Sequence, residues 1–203
     1  MSISNTYKAG KHFLQVPGPT NIPDRILRAM DAPTIDHRGP KFAALSKSVL
    51  ERIKLIFKST DPVVIYPSAG TGAMEASLVN TLNEGDKIIM FETGEFARQW
   101  YQAAERFKIN VDYISGDWRT GADPKIVKEK LLADKKNEIK AVLVTHNETS
   151  TGIKSRVEEI RKAIDDAKHP ALFMVDTISS LGSYNYEHQK WKVDVTVGGS
   201  QKG

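Results

Sequence analysis

Cysteine is absent from the 203-residue sequence. That removes disulfides, thiolate metal sites and a cysteine nucleophile together, and an intracellular, cytoplasmic protein is the expectation. No segment approaches the ~18 uninterrupted apolar residues of a membrane-spanning helix. The opening Met1-Ser-Ile-Ser-Asn-Thr-Tyr-Lys8 lacks the apolar centre of a secretory signal. A peroxisomal tripeptide would lie past Gly203, so that compartment stays as the alternative. Charge of one sign is scarce: 29 Lys and Arg face 25 Asp and Glu, interleaved to a net +4, which gives no nucleic-acid footprint. The five histidines (12, 37, 146, 169 and 188) have no paired ligand spacing, so no metal is expected. Familiar motifs are missing too. There is no Gly-Lys-Ser/Thr ending of a P-loop, no third glycine after Gly70-x-Gly72 for a dinucleotide fingerprint, and no Gly-x-Ser-x-Gly elbow around Ser68.

What is present is an alternation of short β-branched runs with stretches of helical period. The runs are Pro62 to Tyr66, Lys87 to Phe91, Asn110 to Ile114, Lys140 to Thr145, Ala171 to Asp176 and Asp194 to Val197. Between them, helical stripes run through Phe42, Leu45, Val49, Ile53 and Ile56, through Met74, Leu78 and Leu82, through Phe96, Trp100 and Phe107, and through Val157, Ile160, Ile164 and Ala167. Asp123-Pro124 predicts an N-cap followed by a first-turn proline, and Ser155 with Glu158 fits a capping box. The expected class is therefore α/β: a mostly parallel sheet with helices on both faces. Ligands in such sheets collect at the carboxyl ends of the strands.

Polar residues cluster at those ends: Ser68-Ala-Gly-Thr-Gly72, Thr145-His-Asn-Glu-Thr-Ser-Thr-Gly152, Asp176 and Ser200-Gln-Lys202. Ala69, Gly70 and Thr71 open a helix whose free amides suit a phosphate, although a plain strand-to-helix turn uses the same residues. Asp176 closes an apolar stretch, where a carboxylate needs a partner. A pyridinium nitrogen is one candidate, and capping a helix around Ile178-Ser-Ser180 is the other. If the strand continues, Ile178 points the same way as Asp176 and could cover a ring face, with Phe96 on the opposite side. Lys202 lies among small neighbours, Gly-Gly-Ser-Gln-Lys-Gly, that admit a close ligand. Together Asp176 and Lys202 look like the two poles of a pyridoxal 5'-phosphate site, one carboxylate for the ring nitrogen and one amine for the aldehyde. For His146 and Glu148, acid/base chemistry and structural hydrogen bonding both stand open.

This ordered set resembles the class V aminotransferases of pyridoxal phosphate fold type I, and within them the serine-glyoxylate and alanine-glyoxylate aminotransferases. The resemblance runs from Val16-Pro-Gly-Pro-Thr-Asn-Ile-Pro23 through Ser68-Ala-Gly-Thr-Gly-Ala-Met-Glu-Ala76, Thr145 to Gly152 and Val175-Asp176 to Gly199-Ser-Gln-Lys202. Asn80 to Asp86, His146 to Thr149 and Lys168 to Leu172 look closest to the serine-glyoxylate branch. It implies that Lys202 forms the Schiff base, Asp176 binds the ring nitrogen and Thr149 bonds near the ring hydroxyl or phosphate side. Ala69, Gly70, Thr71 and Gln201 would hold the phosphate. Phe96 takes the ring-stacking position where relatives often carry tryptophan, with Trp100 as fallback.

The resemblance implies a transaminase that moves the amino group of a small amino acid, serine favoured, to glyoxylate, with amino-acid and 2-oxo-acid substrates and a homodimer when intact. Alanine-glyoxylate or another class V aminotransferase, a desulfurase, and a non-catalytic cofactor-binding half are the alternatives. The expected division is an N-terminal arm over 1–22 and an incomplete cofactor-binding large domain over 23–203, with the C-terminal part missing and the fragment alone inactive. The arginine that clamps the substrate carboxylate and the partner-subunit phosphate ligands have no match within these residues.

Overall fold

Strand β1 (Lys87–Phe91) sends Ile88 and Met90 to one face and Ile89 and Phe91 to the other, and all four are buried. A strand apolar on both sides belongs inside a sheet covered twice. The computed structural model describes residue 10 and residues 13–202, so His12, Gly203 and most of the expected arm's first twelve residues lie outside it. In it, β1 lies between β2 (Asn110–Ile114) and β3 (Ile139–Thr145). Strands β4 (Leu172–Asp176) and β5 (Val195–Val197) complete a five-stranded sheet of order β2-β1-β3-β4-β5 with every pairing parallel.

Six helices accompany it among the described residues: α1 (Asp24–Met30), α2 (Pro40–Phe57), α3 (Gly70–Thr81), α4 (Glu95–Arg106), α5 (Pro124–Ala133) and α6 (Val157–Ala167). Val127 and Leu131 of α5, with Ile160 and Ile164 of α6, pack on Ile89, Val142, Val144, Phe173 and Val175. On the other face, Met74 and Leu78 of α3 and Trp100 and Ala104 of α4 pack on Ile88, Met90, Ala141, Leu143 and Met174. The expected α/β class with helices on both faces is what the chain forms. Each fully buried side chain of this size contributes roughly 1.5–3 kcal/mol relative to exposure. Strand order reverses direction at β1, whose neighbours β2 and β3 follow it on opposite sides. The crevice outside the carboxyl ends of β1 and β3 is therefore a topological switch point.

Several expectations need correction. Pro62 to Tyr66 is not a strand, and Val64, Ile65 and Tyr66 are 67%, 56% and 46% exposed. A β-branched run becomes a strand only beside a ladder partner, and no described strand offers one. The helix carrying the Phe42 to Ile56 stripe forms, with Pro40 in its first turn, but none of its residues is buried. Helical period fixes a face; it does not supply a cover. Phe107 caps α4 instead of extending it. No helix starts at Ile178: the chain turns there, and the Asp176 side chain accepts from the Ile178 amide within that turn. The Asp123 cap is as expected, accepting from Lys125 N at 2.8 Å ahead of Pro124. The Ser155 capping box is not, because its hydroxyl accepts from Ala122 N at 3.2 Å and α6 has no side-chain cap. No helix among the described residues is long and apolar enough to cross a membrane.

Ser155 and Ala122 are both buried. Ser155→Ala strands the Ala122 amide away from water and should cost about 1–3 kcal/mol in denaturant unfolding, with faster amide exchange at Ala122. The exposed Glu158→Ala should stay within about 0.5 kcal/mol. Equal losses from the two variants would restore the capping box.

Candidate active site

Asp176 is the last residue of β4, in register with Thr145 of β3 and Val197 of β5, and is only 3% exposed. Its Oδ1 accepts from Ile178 N at 2.8 Å. Burial pushes its carboxyl up to about 7, the negative charge of Glu148 adds to the rise, and the Ile178 amide and the Lys202 ammonium pull it back. Lys202 is thus close enough for its charge to reach Asp176.

The Lys202 Nζ stands 5.8 Å from the centroid of the Phe96 ring, over its face, within range of a cation–π attraction. Phe96 reaches this place from the first turn of α4. Trp100, one turn further on, is 1% exposed in the core between α3, α4 and the sheet, so the stacking fallback has no access to Lys202. The Ile178 side chain fills the space between two backbones. Its Cδ1 would stand 2.6 Å from a Cβ on Gly70 and its Cγ2 3.2 Å from one on Gly199. Asp176, Ile178, Gly70, Phe96 and Lys202 therefore share one end of the sheet.

Helix α3 starts at Gly70 behind Ala69, an N-cap residue in extended conformation that makes no side-chain cap. First-turn amides have no intrahelical acceptor, which suits an anion. Ala69 and Thr71 are exposed at this start. Gln201 precedes Lys202 and is exposed, and its carbonyl accepts from the Thr20 hydroxyl at 3.4 Å.

That contact brings the segment around Gly18 to the site. Gly18 has φ +151°, and a Cβ there would stand 2.8 Å from Lys202 Cδ and 3.0 Å from Cε. The segment 18–20 lies against the lysine stem. A glycine between two prolines was the available signal, but nothing local says what it touches.

Of the two ambiguous residues after β3, both are structural. His146 Nδ1 faces Ser180 Oγ at 3.0 Å. Burial, then the charge of Lys154, pushes His146 down to about 4, so it stays neutral near pH 7. The Glu148 carboxylate accepts from Phe96 N, Ala97 N, Ser150 N and Ser150 Oγ at 2.8–3.2 Å. Thr149, next to it, is half-buried, and no hydrogen bond among the described residues ties it to Asp176 or Lys202. Two further hydroxyls at this end are buried: Thr93 Oγ1 has no partner among the described residues, while Thr145 Oγ1 lies beside the Asp176 carboxylate and helps to hold its proton affinity down.

Comparison with known proteins gives the family. The family model for class-V aminotransferases matches residues 12–203. The chain is 47% identical to the serine–glyoxylate aminotransferase of Methylorubrum extorquens over 98% of its own length and 50% of that protein's. It is 44% identical to the L-aspartate–glyoxylate aminotransferase of Paracoccus denitrificans over 93% of this chain and 48% of that one. Among solved structures, the ureidoglycine–glyoxylate aminotransferase of Bacillus subtilis matches with a TM-score of 0.87 at 25% identity, covering 97% of this chain and 50% of that one. The chain spans about half the length of the curated relatives it matches.

The raised Asp176 has a definite pH signature. Its folded value of about 7 lies above the ordinary carboxyl value of ~3.9, so between them the folded chain holds a proton that the unfolded chain has released. Its contribution to stability therefore falls as pH rises from about 4 to 7 and levels off above that. Asp176→Asn should abolish this slope and melt higher than wild type at pH 8. Parallel melting-temperature curves for the two proteins across that range would contradict it.

Proposed function

The chain belongs to the class-V aminotransferase family, and from that premise we propose that it carries the cofactor-binding half of a pyridoxal 5'-phosphate-dependent transaminase moving an amino group from a small amino acid, serine favoured, to glyoxylate. The observation that carries this reading is the convergence of a buried carboxylate with a raised proton affinity, Asp176, and the Lys202 amine, whose charge reaches it. The residues fit the group. A fully buried carboxylate that holds one short backbone hydrogen bond is suited to a ring N–H cation. The uncapped start of α3 suits its phosphate. The Thr93 hydroxyl, buried without a partner among the described residues, is a polar group at the same end.

Bound there, the cofactor would supply an aldehyde that accepts amino groups and a cationic ring that takes up the electrons of a broken C–H bond. Asp176 is the residue that would hold the ring nitrogen in its protonated form. Lys202 would hold the aldehyde end of the cofactor through Nζ, and the same amine is the group suited to act as base toward the substrate's α-proton. Phe96 and Ile178 would cover the two faces of the ring and shield it from water. Ala69, Gly70 and Thr71, with Gln201, would hold the phosphate, and Thr149 would bond near the ring hydroxyl or phosphate side. Gly18 and Thr20 bound the lysine from the N-terminal segment.

The division into an arm over 1–22 and an incomplete cofactor-binding domain over 23–203 belongs to the same proposal, as do a cytoplasmic location and a homodimer. Support for the dimer comes from α1 and α2, where Leu27, Met30, Leu45 and Leu55 remain exposed. A second reading is cofactor binding without turnover, and one titration separates the two.

Titration of the chain with pyridoxal phosphate should produce a visible absorption band that Lys202→Ala abolishes. Asp176→Ala should weaken binding at least tenfold. Serine should bleach the band and glyoxylate restore it. A band that serine leaves untouched favours the binding-only reading, and no lysine-dependent band at all sinks both.

A further inference from the structure

Helix α4 begins at Glu95 behind Gly94 and receives no cap from its own segment. Its capping group comes instead from the loop after β3, 52 residues away in sequence. Glu148, 0% exposed, places one carboxylate oxygen 3.2 Å from Phe96 N and the other 3.0 Å from Ala97 N. Ser150 extends the clamp: its Oγ accepts from Glu95 N at 2.9 Å and donates to Glu148 at 2.8 Å. Thr151 Oγ1 adds a bond to the Thr93 carbonyl at 3.3 Å. The approach requires Gly94, where φ is +158° and a Cβ would collide with the Glu148 side chain and with Ser150 Oγ. A carboxylate at a helix start is favoured by the free amides and by the macrodipole. Buried and holding four hydrogen bonds, this one is anchored far better than a surface cap.

The first residue whose amide Glu148 holds is Phe96, and Phe96 is the residue whose ring faces the Lys202 Nζ. We propose that Glu148 is a positioning residue: it fixes the first turn of α4 so that the Phe96 ring stands over Lys202, coupling the loop after β3 to the ring-covering wall of the site. The role of that wall rests on the transaminase reading; the placement of the ring does not. An acid/base role for Glu148 is disfavoured by the same geometry, since both oxygens already accept from fixed donors.

A cofactor-free test uses the ring current of Phe96. In NMR spectra of the full chain, the Lys202 ε-methylene protons should be shifted upfield, and Phe96→Leu should abolish that shift. Glu148→Ala should abolish it as well and speed amide exchange at Phe96 and Ala97 at least tenfold. Glu148→Gln, which keeps one strong acceptor oxygen, should lose the shift in part. Ile164→Val, in the core beneath the opposite face, serves as a destabilised control and should keep it. If both Glu148 variants keep the full Lys202 shift, or if Ile164→Val loses it equally, the positioning role is overturned. Pyridoxal phosphate titration of the same proteins reads the second level: Glu148→Ala should raise the dissociation constant about tenfold, and adding it to Phe96→Leu should change nothing further. Absence of a band in wild type would count against the transaminase reading, while the ring-current result would stand by itself.

Discussion

Two carboxylates are taken out of water at the carboxyl end of this sheet, and the difference in how they are satisfied organises everything around them. Glu148 accepts four hydrogen bonds from three residues and behaves as a fixed structural anion. Asp176, equally hidden, accepts from the Ile178 amide with the Thr145 hydroxyl beside it, and burial first, then repulsion by the Glu148 charge, raises its proton affinity. A buried acid in that condition is stabilised by a cation. Lys202 approaches that role from one side, and a protonated heteroaromatic nitrogen would complete it.

The sheet explains why these groups meet. Parallel strands all present their carboxyl ends to the same side, and the reversal of strand order at β1 opens a crevice where the loops after β1 and β3 separate. Phe96 arrives from the first of those loops, Glu148 and Thr149 from the second, and Asp176 and Lys202 from the ends of β4 and β5. Two faces of apolar packing hold the strands in register, so the placement of five or six side chains at one end is a by-product of burying the rest. Ile178 then fills the space between the start of α3 and Gly199.

Legibility in the sequence differed by type of evidence. Strands with apolar residues on both faces, such as Ile88 to Phe91, were readable because no other local structure buries every consecutive side chain. The run Pro62 to Tyr66 has the same composition and misled, since strandedness is decided by a neighbour that local pattern does not encode. The capping box at Ser155 failed for a similar reason: Ala122 outcompeted the helix amide for one hydroxyl. Trp100 and Phe96 share a stripe in the sequence, and only the packing of α4 on α3 and the sheet shows which one is buried and which faces the lysine.

The sequence by itself determined the α/β alternation, the positions of the polar loops after the strands and the presence of a carboxylate, Asp176, and an amine, Lys202, just past two of them. These follow from hydrophobic period and from side-chain chemistry, which are local. Tertiary structure alone decided that Glu148 caps a helix 52 positions earlier, that Gly18 lies against the stem of Lys202 and that Asp176 is deprived of enough water to hold its proton near neutrality. Hydrogen bonds and desolvation depend on distances between residues far apart in the chain, and those distances exist only once the sheet has closed its two faces.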